Sequence, residues 1–339
     1  LIDLIADAQD KDGYLNTFFT IKDTEKRWTN LLEGHELYCS GHLIEAACTY
    51  YEATGKRKLL DIAVKNAECI YDRFVMQNTE GVPGHPEIEL ALLRLYRLTE
   101  NKHFLELAKK FIDERGKAPD FWAREAKKRS WSVWNSDPWD NDYRQSAKPV
   151  REQTEAVGHA VRAVYLYTGM ADLAAETEDK ELFAACRRLW GNIVHRKMYI
   201  TGGIGSTVQG EAFTVDYDLP PDTAYSETCA AIGLIFFAEK MLENEINGEY
   251  GDVMELVFYN TVLAGMQLDG KRFFYVNPLE VDIGISGKAC THSHVLPSRP
   301  KWYACACCPP NAARLIGSIG KYAYGEKGDT AYCHLFTSG

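Results

Sequence analysis

The sequence lacks a hydrophobic run long enough to span a bilayer, which takes about 18 consecutive apolar residues. Its longest apolar stretch, AAIGLIFFA, is bounded by Cys229 and Glu239. It also lacks an excess of basic residues, since its 38 Lys and Arg and 48 Asp and Glu give a formal charge of -10. No run of Lys and Arg of the kind that binds a phosphate backbone is present in the sequence. We therefore expect neither a membrane nor a nucleic acid as a partner.

The ten cysteines lack the regular spacing of a disulfide framework. Cys48, Cys69 and Cys186, for example, lie inside apolar helical patterns, which favours reduced thiols and a cytoplasmic location. The chain starts LIDLIADAQDKDGYLN, which is neither an initiator methionine nor the charged and apolar regions of a signal peptide, so we expect that targeting information is missing from these residues. We interpret its first residue as an internal cut, with the N-terminal part of the first domain missing.

Four segments share one helical pattern, in which an apolar run is followed by a break and then by an amphipathic run. They span residues 41–67, 85–111, 158–190 and 226–265. Repeated helix pairs bury a continuous core by stacking on their neighbours. Because the first helix of each pair is apolar nearly all round and the second is charged on one face, we predict an all-α-dominated fold, an α/α barrel with an inner and an outer ring.

Short alternating runs replace this pattern after about residue 268, and those at 271–279 and 330–339 predict strands. The predicted domains are the helical barrel at 1–267, a β-rich connection at 268–304, a last barrel helix at 305–325 and the start of a truncated β-sandwich at 326–339.

Two long polar connections separate the hairpins, at 121–153 and at 199–228. Loops of this length are usually functional. The first contains four tryptophans, and exposed aromatic rings at the mouth of a helical barrel suit stacking on a sugar ring.

The motif YACACCPPNAARL places Cys305, Cys307 and Cys308 within four positions. Adjacent thiols can share one metal ion only where the backbone turns sharply, and the Pro309–Pro310 step that follows restricts the backbone. Taken alone, this motif leaves a metal role and buried inert thiols as equal alternatives.

A second motif, SETCAAIG, supplies a carboxylate at Glu227 and a thiol at Cys229 near the start of a predicted helix. Together with Cys307 and Cys308 they make four ligands of the kinds that zinc prefers in tetrahedral sites. A carboxylate ligand is unusual in a purely structural zinc site and indicates a site that reacts.

Other polar residues have competing interpretations. Glu211 lies near the end of the glycine-rich loop TGGIGSTVQGEAF. Three interpretations stay open: Glu211 is a general acid, the loop is a turn that binds phosphate, or Glu211 is a solvated carboxylate. His292 and His294 of CTHSH are a rival metal pair without an obvious further partner. Four more histidines lie near the starts of first helices, where they act as caps, as core residues or together as a binding site: His35, His42, His85 and His159.

Five motifs, in order, resemble the signatures of glycoside hydrolase family 127, the β-L-arabinofuranosidase-like proteins. They are HELYCSGHLIEAA, PVREQTEAVGHAVRA, TGGIGSTVQGEAF, YSETCAAIG and CACCPPNAARL, and they cover nearly the whole chain. The resemblance implies an (α/α)6 barrel followed by β-sandwich domains, a zinc ion bound by one Glu and three Cys, and a retaining reaction with a cysteine nucleophile.

Carried over by motif, the resemblance makes Cys307 both the nucleophile and a zinc ligand. Glu227, Cys229 and Cys308 complete the metal site, and Glu211 becomes the acid/base. By analogy with the paired carboxylates of retaining glycosidases, we expect Glu211 and Cys307 to lie about 5–6 Å apart.

The resemblance also implies substrate contacts at His85, His159 and Tyr275, and at His35 in preference to His42. The expected activity is the exo-acting release of β-L-arabinofuranose, or a closely related sugar, from a small oligosaccharide or a plant-type glycan. A homodimer through the β domains is a further expectation. The alternatives are another α/α-barrel enzyme, such as an unsaturated-uronide hydrolase, a lyase or an epimerase, and a carbohydrate-binding protein with a structural zinc.

Overall fold

The structure, a computed structural model, describes residues 1–337. Helices dominate these residues, and a small two-stranded sheet lies near their end. The chain divides into two units, Leu1–Glu152 and Gln153–Gly339, so the division falls inside the predicted domain 1–267.

The first unit is helical. Its helices are α1 (Ile2–Ala8), α2 (Thr17–Lys22), α3 (Glu36–Thr54), α4 (Lys58–Tyr71), α5 (Ile88–Thr99), α6 (Lys102–Glu114) and α7 (Phe121–Lys128). Helices α3 and α4 form the hairpin predicted at 41–67, and α5 and α6 form the one predicted at 85–111. Gly55 ends α3 in a left-handed conformation, and the Asn101 side chain starts α6 by accepting a hydrogen bond from the His103 amide.

The second unit contains the other two predicted hairpins. Its helices are α8 (Ala160–Thr177), α9 (Lys180–Asn192), α10 (Thr228–Asn244), α11 (Gly248–Val257), α12 (Cys308–Gly317) and α13 (Gly320–Ala323). The Asp179 and Asn247 side chains cap α9 and α11 by accepting hydrogen bonds from main-chain amides. Four helix pairs are therefore confirmed at the predicted places.

First helices of the hairpins pack on each other within each unit, α3 on α5 and α8 on α10. Every residue of 160–174 in α8 and of 228–238 in α10 is buried. This burial confirms the prediction of an enclosed first helix for α8 and α10, whereas α3 has exposed residues such as Cys39 and Ala46.

Second helices of three hairpins share a further feature. Helices α4, α9 and α11 each continue into a π-helical segment, at Asp72–Met76, Ile193–Lys197 and Phe258–Leu263. The same irregularity at the same place supports an internal repeat of helix pairs.

The predicted strand at 271–279 is wrong. Phe273 and Val276 form only isolated bridges, to Met266 and Glu227, because neither partner belongs to a strand. Met266 follows the π-helical segment after α11, and Glu227 is the N-cap residue of α10. Nearer the end, β1 (Tyr324–Lys327) pairs antiparallel with β2 (Thr330–Cys333). Strand β2 lies within the predicted strand at 330–339, and β1 lies just before it. Residues 338–339 of that prediction lie outside the described residues.

Membrane-spanning helices are not found among residues 1–337, since none of the helices there combines the length and the apolar character that a span requires.

Close packing of α8 on α10 depends on Gly233. A Cβ atom at this position would lie 2.4 Å from Cγ2 of Val164 and 3.1 Å from the ring of Tyr165. The same Tyr165 accepts a hydrogen bond of 2.8 Å through its hydroxyl from Asn311 of α12. Gly233 therefore allows the approach that places α8, α10 and α12 together.

We predict that Gly233→Ala lowers the free energy of unfolding by about 1–3 kcal/mol, because overpacking exceeds the gain from alanine in a helix. Gly248→Ala is the matched control, since nothing lies within 4 Å of the added Cβ. It should leave stability unchanged or raise it by up to about 1 kcal/mol. Urea unfolding of both variants measures the difference, and equal effects would contradict the close-packing argument.

Candidate metal and catalytic site

Two helices of the second unit begin at the predicted metal ligands. Glu227 is the N-cap residue of α10 and Cys229 lies in its first turn, while Cys307 is the N-cap residue of α12 and Cys308 is its first residue. The two prolines after Cys308 occupy the first turn, where a missing amide hydrogen costs nothing. Because helix N-termini favour negative charge, these positions suit carboxylate and thiolate groups.

The ligand set, defined as Glu227, Cys229, Cys307 and Cys308, gathers as the sequence predicts. Its ligand atoms all lie within 4.8 Å of one another. The Sγ atom of Cys308 lies 3.4 Å from that of Cys229 and 3.8 Å from that of Cys307. Oε1 of Glu227 lies 3.5 Å from Sγ of Cys307 and 3.6 Å from Sγ of Cys308.

These separations agree with a tetrahedral zinc ion. Ligand bonds of about 2.3 Å to sulfur and 2.1 Å to oxygen require about 3.8 Å between sulfurs and about 3.6 Å between sulfur and oxygen. Oε2 of Glu227 has no hydrogen-bond partner although the residue is only 3% exposed. The donor types, their spacing and this unsatisfied oxygen fit a zinc site.

Burial governs the charges within the ligand set. Burial, followed by the negative charge at Cys307, raises the pKa of Glu227. Burial and the neighbouring thiols raise the pKa of Cys308, and the pKa of Cys229 is also raised, first by its hydrogen bond to Cys307. The pKa of Cys307 falls to about 2, because Cys229 and Cys308 donate hydrogen bonds to its sulfur. One thiolate is therefore stable here, and ionising all four groups requires a cation.

Tyr275 contacts the predicted nucleophile. Its hydroxyl oxygen lies 3.0 Å from Sγ of Cys307, and burial raises its pKa. The Thr228 amide donates a 2.9 Å hydrogen bond to the Tyr275 carbonyl, which ties this segment to the start of α10. The structure thus places the Tyr275 hydroxyl beside Cys307. Its contact with substrate stays a prediction.

Glu211 lies in the same unit in an unusual backbone conformation. Its φ of 53° is left-handed, which a residue with a side chain rarely adopts. Oε2 lies 3.0 Å from Nε2 of His159, and Oε1 accepts a 2.9 Å hydrogen bond from the Tyr225 hydroxyl. Burial raises the pKa of Glu211, but the hydrogen bonds from His159 and Tyr225 outweigh it and the net pKa is lowered.

His159 caps α8 and holds a defined tautomer. Its Nδ1 accepts a hydrogen bond from the Arg162 amide at 3.4 Å, so the ring hydrogen is on Nε2 and is donated to Glu211. Burial lowers the pKa of His159, which favours the neutral ring. Both ring nitrogens of His159 thus have protein partners, Glu211 and the Arg162 amide. The contact of His159 with substrate stays a prediction.

The acid/base candidate adjoins the ligand set. Ligand atoms of His159, Glu211 and Glu227 lie within 4.8 Å of one another. Since Glu227 also touches Cys307, the two predicted catalytic groups flank one carboxylate. Their expected separation of about 5–6 Å stays a prediction.

In the first unit, the predicted histidines form a separate cluster. Nδ1 of His35 bonds to the Glu33 carbonyl at 2.7 Å, and Nδ1 of His85 bonds to the Pro86 carbonyl at 2.8 Å. The two rings lie 5.9 Å apart, with the Tyr38 ring in contact with both.

His42 differs from these two. Its Nδ1 lies 3.2 Å from Oε1 of the buried Glu87, which is a structural ion pair when the ring is protonated. The preference for His35 over His42 as a substrate contact stays a prediction.

Other candidates do not join the ligand set. Nε2 of His292 bonds to Asp222, and Nε2 of His294 donates to the Thr223 carbonyl. Within residues 1–337, the groups spaced for a metal contain neither histidine. All ten cysteines are free thiols, as predicted, and Cys305 is exposed outside the set.

Tyr225 is a residue of the site that sequence reasoning missed. Its signal was its place in YSETC, two residues before Glu227. That spacing does not reveal that its hydroxyl turns toward Glu211, a residue that lies on another loop.

The chain is similar to known glycosidases along most of its length. The family described as Beta-L-arabinofuranosidase, GH127 catalytic domain, matches residues 1–321. A non-reducing end beta-L-arabinofuranosidase of Bifidobacterium longum subsp. longum is 45% identical over 350 residues, covering 99% of this chain and 52% of that protein.

Two solved structures are similar over 99% of the chain. The GH127 beta-L-arabinofuranosidase Ara127N-Se of Geobacillus stearothermophilus T6 is 52% identical with a TM-score of 0.94, and 53% of that chain is covered. The GH127 beta-arabinofuranosidase BT3674 is 42% identical with a TM-score of 0.84, and 50% of that chain is covered. The chain thus spans about half the length of these relatives, and it belongs to the β-L-arabinofuranosidase family GH127, with residues 1–321 matching the catalytic domain.

Proposed function

We propose that this chain carries the active site of a retaining exo-glycosidase that releases β-L-arabinofuranose, or a closely related sugar, from a glycan. The relatives are named for this activity. The proposal depends on one observation: a half-buried thiol with a lowered pKa at Cys307 and the carboxylate of Glu211 both lie within 4.8 Å of Glu227.

In the first step, Sγ of Cys307 attacks the anomeric carbon. The bond from that carbon to the glycosidic oxygen breaks, and its electrons pass to the oxygen. Glu211, in its protonated form, gives the leaving oxygen a proton. A bound sugar that excludes water favours this neutral form, because desolvation penalises the carboxylate. The products are a thioglycosyl enzyme and a free alcohol.

In the second step, the Glu211 carboxylate takes a proton from water. The water oxygen attacks the anomeric carbon, the carbon–sulfur bond breaks, and the thiolate of Cys307 is restored. Two inversions leave the configuration unchanged. His159 and Tyr225 stabilise the carboxylate between the steps by donating to its two oxygens.

The zinc-dependent form of this proposal rests on the fit of the ligand set. Glu227, Cys229, Cys307 and Cys308 would hold the ion, three of them as thiolates. When bound, zinc supplies the positive charge that keeps these buried thiols ionised.

The proposal also includes the (α/α)6 arrangement and sugar hydroxyl contacts from His35 and His85. Four helix pairs, with the first helices α8 and α10 enclosed, support the arrangement. Each of the two histidines bonds to a backbone carbonyl through Nδ1, which orients the ring, and imidazole nitrogens bind hydroxyl groups.

Replacement of the nucleophile gives the first test. We expect Cys307→Ser in the full-length protein to lower kcat on p-nitrophenyl β-L-arabinofuranoside by more than about a thousandfold. Mass spectrometry of the wild type with substrate should show a pentose adduct on the peptide that contains Cys307. The exposed Cys290, outside the ligand set, provides the control Cys290→Ser. Retained turnover in Cys307→Ser would favour another enzyme class, and binding of sugar without turnover by the wild type would favour a carbohydrate-binding protein.

Zinc binding gives the second test. We expect one zinc per chain by elemental analysis. Where the free zinc concentration is about a thousand times its Kd, removing the zinc with a chelator should lower the free energy of unfolding by about 4 kcal/mol. Zinc affinity should rise with pH, because the raised pKa values of Glu227, Cys229 and Cys308 mean that protons leave these groups on binding. Cys229→Ser should lower the zinc content while Cys290→Ser keeps it; equal content in both would disprove the assigned ligands.

Loss of the acid/base gives the third test. Glu211→Ala should lower kcat/KM for methyl β-L-arabinofuranoside by about 10²–10⁴-fold, and much less for the p-nitrophenyl glycoside, whose leaving group needs no proton. Azide should restore turnover of the p-nitrophenyl glycoside. Glu249, which accepts a hydrogen bond from Trp190 and lies 3.1 Å from Nε2 of His195, supplies the control Glu249→Ala. A loss in Glu211→Ala that is equal for both glycosides and resistant to azide would rule out this role.

A further inference from the structure

Both oxygens of Glu211 have protein partners, and the partners come from different segments. His159 at the start of α8 binds Oε2, and Tyr225 in the loop before α10 binds Oε1. The terminal torsion of a glutamate is broad and roughly two-fold, so a single partner leaves the carboxylate plane poorly defined. Two partners on opposite oxygens fix that plane.

Tyr225 is itself held firmly. It is 7% exposed, and its carbonyl accepts a 3.3 Å hydrogen bond from the Asn277 amide. The next residue, Ser226, has a left-handed φ of 42° and donates its amide to the Gly205 carbonyl at 2.8 Å. These contacts hold the backbone at Tyr225 in place, and with it the starting point and direction of the Tyr225 side chain.

The Tyr225 ring also connects Glu211 to the nucleophile. It lies edge-on to the ring of Tyr275, with centroids 6.3 Å apart, and the Tyr275 hydroxyl bonds to Cys307. Two packed tyrosines thus each contact one of the two catalytic groups. Because the two rings pack on each other, the position of Glu211 is coupled to that of the Cys307 sulfur.

We propose that Tyr225 is a positioning residue for proton transfer by Glu211. Its hydroxyl holds Oε1 so that the carboxyl faces the glycosidic oxygen in the first step and the attacking water in the second. This inference rests on the proposed function, in which Glu211 is the acid/base. Tyr225 makes no bond to the substrate in this role and gives up no proton.

The experiment compares two leaving groups in Tyr225→Phe, in the full-length protein loaded with zinc. For methyl β-L-arabinofuranoside, kcat/KM should fall by about ten- to a hundredfold, the value of a hydrogen bond to a charged group. For the p-nitrophenyl glycoside, whose departure needs little acid assistance, kcat/KM should fall by less than about threefold. The ratio of the two values is independent of the amount of folded enzyme, so partial misfolding cannot produce the difference.

Tyr250 provides the matched control. It is a buried tyrosine whose hydroxyl donates a 2.7 Å hydrogen bond to a carboxylate, that of Glu245, but it lies on α11 and contacts neither catalytic group. Tyr250→Phe should leave the ratio between the two glycosides unchanged, whatever it does to thermal stability.

The outcomes separate the two proposals. Equal losses for both glycosides in Tyr225→Phe, or no loss in either, overturn the positioning role even if Glu211→Ala behaves as an acid/base variant. If Glu211→Ala shows neither leaving-group dependence nor azide rescue, the proposed function fails and the inference with it. A changed ratio in Tyr225→Phe and an unchanged ratio in Tyr250→Phe support the positioning role.

Discussion

The carboxyl group and the three thiols of the ligand set meet in one largely buried place, and the chemistry of the site depends on how their negative charge is balanced. An unpaired buried charge costs several kcal/mol, so the ligand set cannot ionise as a group on its own. Three features reduce this cost: the N-termini of α10 and α12, the hydroxyl of Tyr275, and the tetrahedral spacing that admits a cation. The lowered pKa of Cys307 beside the raised pKa of Glu227 is the direct result of this competition.

The helices and the loops contribute different parts of the site. Packing of α8, α10 and α12 holds the ligand set on regular structure, and the absence of a side chain at Gly233 permits that packing. Glu211 instead lies on a loop in a left-handed conformation, which costs about 1–3 kcal/mol and persists only where its surroundings determine it. Hydrogen bonds from His159 and Tyr225 supply that determination. Cys307 is thus positioned by helix packing, and Glu211 by hydrogen bonds.

Sequence patterns predicted the helix pairs and the ligand set because both depend on local rules. A break between two amphipathic runs places a hairpin wherever helix caps such as Asp179 and Asn247 are available. The strand expected at 271–279 failed because alternation alone does not supply a pairing partner, and its residues form only isolated bridges to Met266 and Glu227. Tyr225 was missed because its importance lies in where its hydroxyl ends, which no residue spacing encodes.

The sequence by itself determined which residues can carry the chemistry: three cysteines and a glutamate of metal-binding type, a second glutamate after a glycine-rich loop, and helix pairs to support them. Only the tertiary structure decided which thiol holds the charge, which tautomer His159 adopts, and that Tyr225 contacts Glu211 and Tyr275 contacts Cys307. The physical reason is that pKa values and hydrogen-bond directions depend on burial and on neighbours distant in the chain, whereas residue type and periodicity are properties of the chain itself.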